Sequence, residues 1–126
     1  MALRFKPGVD FAGLQPQALF GLAVAVNVYA EAGIECWVTS ALDGSVGRVT
    51  TSLHPKGLAF DLRLPSRVDG ERSVMTDGIV FMKLKGALST EAERLRGLGF
   101  VGTFDAIKHD VGFGDHFHIE WDPSHT

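Results

Sequence analysis

Two short stretches hold residue types that metal-assisted chemistry needs. In "SLHPKGLAFDLR" (52–63), His54 and Asp61 stand seven positions apart inside otherwise apolar sequence, accompanied by Ser52, Gly57 and Ala59. In "DHFHIEW" (115–121), Asp115, His116, His118 and Glu120 crowd together. Imidazole and carboxylate are both zinc ligands, and a catalytic zinc site takes three protein ligands and leaves a fourth position open for water. His54 and Asp61 supply a pair across one loop and strand, and either histidine of the later stretch can supply the third ligand. Small side chains at Gly57 and Ala59 suit such a site, because they let backbone and metal approach closely. Cys36 is the only cysteine, which excludes both an internal disulfide and a thiolate metal site.

The elements that must position these residues follow from periodicity. "LAFDLRL" (58–64) alternates, so that Ala59, Asp61 and Arg63 share one face of a strand and Leu58, Phe60, Leu62 and Leu64 the other. In the last strand His116, His118 and Glu120 share a face, and Phe117, Ile119 and Trp121 lie opposite. Each strand therefore has one face for a core and one for chemistry. Asp115 joins the chemical face only if it sits where the strand begins; within a regular strand it would point away from His118. Alternation by itself nominates His116 as the proton acceptor.

The run "ALFGLAVAVNVYAEA" predicts a buried helix from about Leu14 to Ala32, stopped by Gly33. Asp10 and Asn27 interrupt any signal-peptide pattern, and the run is too short to span a bilayer. "IECWVTS" reads as a strand, "ALDGSVGRVTTS" as a loop, and "PSRVDGERSVMTDG" as a polar surface loop bordering a cleft. "IVFMKLKGAL" fits helix and strand alike. "STEAERLRGLG" predicts a short helix with Thr90 and Glu93 at capping-box spacing, and "TFDAIKHD" and "DHFHIEWD" complete the strands. The order implies an α+β fold with a mainly antiparallel sheet and helices packed on it. With 126 residues and 45% hydrophobic content, the chain fits a single domain over 1–126 that needs no disulfide. A formal charge of -3, with the cations scattered, offers no basic stripe for nucleic acid.

The pattern S-x-H-x-x-G-x-A-x-D, spelled by Ser52, His54, Gly57, Ala59 and Asp61 and followed by the D-H-F-H-I-E of Asp115 to Glu120, resembles the D-alanyl-D-alanine metallopeptidases. That family includes zinc carboxypeptidases, vancomycin-resistance dipeptidases and phage endolysin peptidases, and shares its fold with the hedgehog signalling domain. The resemblance runs from about Val38 to Pro123. It implies Zn2+ held by His54, Asp61 and His118, and Asp115, three residues before His118, as general base, with His116 as competing base or substrate contact. Zinc lowers the pKa of water to about 7 and polarises a carbonyl, while a carboxylate beside it accepts a proton and passes one to the leaving amine. Family members carry an arginine shortly before the first motif that can stabilise an oxyanion; Arg48 is a displaced candidate for it. Ser52 is expected to orient the loop or a ligand, Glu120 to support the metal face by an outer hydrogen bond, and His109 to lie on the surface.

The expected function is a zinc-dependent peptidase that hydrolyses peptidoglycan stem peptides at D-Ala-containing or L-Ala-D-Glu bonds, in the manner of a phage endolysin. It is expected to be made in the cytoplasm without a signal peptide, to act on the cell wall as a monomer, and to have no nucleic-acid or membrane partner. The alternative is a non-catalytic metal-binding or virion structural module on the same fold.

Overall fold

The computed structural model describes residues 3–41, 56–68, 70, 73–109 and 115–124. Along the chain run β1 (Leu3–Phe5), α1 (Pro16–Glu31), β2 (Cys36–Ser40), β3 (Ala59–Arg63), α2 (Pro65–Val68), α3 (Val74–Gly97), β4 (Thr103–His109) and β5 (His116–Asp122). Among the described residues the five strands form one sheet in the order β1-β2-β3-β5-β4. The fold class is α+β, as expected. The sheet is mixed: β1 and β2 are parallel, and the other three neighbouring pairs are antiparallel. A parallel pair needs a crossover, and α1 between β1 and β2 provides it. At three residues, β1 is too short to leave a period in the sequence.

The helices are held on the sheet by regularly spaced apolar residues. In α1, Ala18, Leu22, Ala25 and Tyr29 are buried at helical spacing, and in α3 Val80, Leu84, Leu88, Ala92 and Leu95 repeat the pattern. The α1 residues and Val80, Leu84 and Leu88 of α3 share a core with Phe60 and Leu62 of β3 and Phe117 and Ile119 of β5. Each large side chain fully buried there contributes roughly 1.5–3 kcal/mol. Trp121 closes the far end of this layer against Ala92 and Leu95, with Phe104 edge-on at 4.9 Å between ring centroids. The Tyr29 hydroxyl donates to the Arg63 carbonyl at 2.7 Å, tying α1 to the end of β3.

The stretch expected as a surface loop, 65–78, contains α2 and the start of α3 instead. Ser73 caps α3 by accepting the Thr76 N–H at 3.4 Å, and the helix then continues for 24 residues through the ambiguous segment and through the short helix expected to begin near Thr90. Thr90 is interior, its hydroxyl donating to the Gly86 carbonyl at 3.3 Å rather than capping anything. Exposed Met75, Ile79 and Met82 put apolar residues on the outer side of the helix as well, which blurs the 3.6-residue period.

Gly57 has a backbone role in the fold. Its φ is +73°, and a Cβ there would lie 2.2 Å from the Gly13 carbonyl oxygen. The Gln15 N–H donates to the Gly57 carbonyl at 2.8 Å. The missing side chain lets the approach to α1 pack on the approach to β3. Among the described residues no helix is long and apolar enough to cross a membrane.

Candidate metal and acid–base centre

The site is built on the sheet face opposite the helices. Antiparallel pairing of β3 and β5 sets Asp61 opposite His118, Arg63 opposite His116 and Ala59 opposite Glu120. The two alternating patterns thus meet in register, polar face beside polar face. On the other side of β3, the pairing with β2 is irregular between Val38 and Ser40, which brings Ser40 opposite Asp61. Irregularities of this kind re-aim side chains next to functional sites.

His118 lies between two carboxylates. Its Nδ1 is 2.9 Å from Asp61 Oδ1, and its Nε2 is 2.7 Å from Glu120 Oε1. Burial on its own would lower the His118 pKa, but the hydrogen bonds to Asp61 and Glu120 and their negative charges outweigh it, so the imidazole is held above its ordinary value. The second oxygen of the buried Asp61 carboxylate is 3.7 Å from His116 Nε2. Asp61 therefore presents one oxygen to each histidine of β5. An oxygen and a nitrogen donor converge here, and a second carboxylate orients the imidazole from behind, an arrangement that metal-ligating histidines commonly use.

Asp115 stands one position before β5, outside the alternation, and lines the same cleft as Asp61 and His116. The cleft has a volume of about 410 Å³, and Lys6, Arg63 and Arg67 also face it. Arg67 Nη2 is 3.7 Å from Asp115 Oδ2. The condition on which Asp115 could join the chemical face, a place where the strand begins, is met. Both candidate proton acceptors open onto one space, a carboxylate and an imidazole beside the Asp61 oxygens.

Five of the residues singled out from sequence are thus gathered: Asp61, Asp115, His116, His118 and Glu120. His54, Ser52 and Arg48 lie outside the described residues. His109, expected on the surface, pairs with His116 across β4 and β5, its ring 5.1 Å from that of His116 and 5.7 Å from that of His118. The alternation of "TFDAIKHD" puts Asp105, Ile107 and His109 on one face, but only the strand pairing brings that face to the site. Arg67 also reaches the site, from α2 within the stretch expected as loop, and no local sequence pattern marks it. On the same sheet face, Asp105, Glu120 and Asp122 form a carboxylate cluster that could hold a metal ion, their oxygens within 4.8 Å of one another. Glu120 belongs to both groups, so the outer support of His118 merges into that cluster.

No protein-family model, curated protein or solved structure matches the chain.

Proposed function

We propose that this protein is a zinc-dependent peptidase that hydrolyses peptidoglycan stem peptides at D-Ala-containing or L-Ala-D-Glu bonds, acting on the cell wall in the manner of a phage endolysin. The observation that carries the reading is the Asp61–His118–Glu120 line, 2.9 Å and 2.7 Å between successive partners, beside a cleft that also receives Asp115. The donor set fits zinc, which accepts carboxylate oxygen and imidazole nitrogen. Asp61 and His118 would hold it together with His54, the ligand that the sequence pattern adds. When bound, zinc supplies the Lewis acidity that polarises a scissile carbonyl and makes water nucleophilic near neutral pH.

The chain's own residues supply the rest. Asp115 accepts the proton of the attacking water and returns one to the leaving amine as the C–N bond breaks, a proton cycle that leaves the carboxylate as it began. His116, which lines the same cleft 3.7 Å from Asp61, contacts the substrate. Glu120 keeps the His118 ring turned so that Nδ1 faces Asp61.

The test is mass spectrometry of purified peptidoglycan after incubation with the zinc-loaded protein, with and without chelator. Chelator-sensitive release of peptide fragments is expected, and the fragment masses locate the bond. Asp115→Asn should retain zinc and lose about 10²- to 10⁴-fold in kcat, while His116→Gln mainly raises KM. A protein that retains zinc and releases nothing from any peptidoglycan type would sink the enzymatic reading and favour a binding module.

A further inference from the structure

The cleft carries more positive charge than a neutral peptide requires. Lys6, Arg63 and Arg67 face it, against the carboxylates of Asp61 and Asp115. Asp61 is already bonded to His118 and approached by His116. Arg63 lies over the Trp37 ring, 4.7 Å from its centroid. Arg67 is anchored in another way. It belongs to the short α2, and the residue before it, Ser66, is clamped by Asp77: the Ser66 N–H donates to Asp77 Oδ1 at 2.8 Å and its hydroxyl donates to Oδ2 at 2.5 Å.

Asp77 is only 1% exposed. A carboxylate at that depth needs hydrogen bonds to both oxygens, and its place in the first turn of α3 adds a favourable helix dipole. Both oxygens are engaged by the residue next to Arg67. The clamp joins α2 to α3 and so fixes the base from which Arg67 reaches into the cleft. At 3.7 Å the Arg67–Asp115 pair is longer than a direct hydrogen bond, so an incoming anion can take the guanidinium N–H groups without displacing a close partner. A planar guanidinium on a fixed anchor is the side chain best suited to a carboxylate.

We propose that Arg67, positioned by the Ser66–Asp77 clamp, is the specificity-determining residue of this cleft and binds a free carboxylate of the substrate beside the bond that is cut. The proposal rests on the peptidase reading above and narrows its substrates to peptides with an ionised carboxyl group next to the scissile amide. A stem peptide offers that group in two places, at its C-terminus and on the α-carbon of its second-position glutamate. Asp77 acts only through Ser66 and is a positioning residue.

Binding of a synthetic stem pentapeptide to the zinc-loaded protein tests this, using the free acid, the C-terminal amide and the α-amide of the glutamate, with cleavage followed in parallel by mass spectrometry. One of the two amidations should weaken binding about tenfold or more, the loss expected for a charge-assisted hydrogen bond, and the sensitive position says which carboxylate is read. In Arg67→Gln that difference should shrink to less than about twofold through KM rather than kcat, with Arg67→Lys restoring part of it. Ser66→Ala, which removes one bond of the clamp and keeps the other, should reduce the difference while the melting transition stays cooperative. If neither amidation matters, or if the difference survives in Arg67→Gln, the assignment of Arg67 is overturned; an unchanged difference in Ser66→Ala overturns the role of the clamp. Discrimination without cleavage upholds Arg67 and sinks the peptidase reading, whereas cleavage without discrimination does the reverse.

Discussion

Glu120 touches the proposed zinc site only through His118. Because its carboxylate holds Nε2 at 2.7 Å, the ring is fixed with Nδ1 toward Asp61. Removing such an outer partner typically costs about 10- to 100-fold in metal affinity. Glu120→Gln is therefore expected to bind zinc that much more weakly in competition with a chromophoric chelator, with the fold intact; an affinity equal to wild type would mean that the Nε2 contact has no bearing on the metal. Glu120, His116, His118 and Asp61 were legible from sequence because a strand alternates, and a charged residue every second position among Phe, Leu and Ile can only mark the side away from the core. Arg67 and His109 were not legible. Their approach to the site depends on where α2 is anchored and on how β4 pairs with β5, and neither leaves a local pattern.

The strands and helices divide the labour unevenly. β3 and β5 carry the donors, and their register sets Asp61 directly opposite His118, while a slip by one residue would turn every polar side chain into the core. That register begins just after Gly57, where the chain passes against the Gly13 carbonyl. Gly57→Ala should cost about 2–4 kcal/mol, combining a left-handed backbone with a contact no side chain can avoid. Urea unfolding of the variant measures it, and a loss below about 1 kcal/mol would contradict the close approach. β3 and β5 were readable because their residue types alternate, and α1 because its apolar run is long enough for a buried helix. α3 was not, because its exposed Met75, Ile79 and Met82 and its interior glycines hide the buried Val80, Leu84 and Leu88. Its true N-cap, Ser73, sits in a polar run that reads as a turn.

Taken together, the molecule is a sheet with two long helices sealing one face and ionisable groups gathered on the other, and the sealed side has its own pH response. Burial pushes the Cys36 thiol from 9.0 up to about 12. Tyr29, buried with its hydroxyl donating to the Arg63 carbonyl, is also raised, by burial first and then by the nearby Cys36 and Asp77. Both folded-state values lie above the unfolded ones, so the stability these groups confer is fully present below about pH 9 and is lost as the unfolded chain ionises while the folded one does not. For Cys36 the slope is about 1.4 kcal/mol per pH unit between its two values. Urea melts from about pH 8 to about pH 11 should show that decline, and Cys36→Ala should flatten it in proportion. An identical decline in wild type and Cys36→Ala would remove the thiol as a cause.

The two tryptophans stand on opposite sides of this division. Trp121 is sealed in the core, whereas Trp37 lies under the guanidinium of Arg63, a residue that lines the cleft. An indole beneath a cation emits according to where that cation sits, and an indole in the core is blind to it. The chain therefore holds a fluorescent reporter of whatever engages Arg63 and, in the same molecule, a steady reference against which to read it, so occupancy of the cleft can be followed without attaching any label.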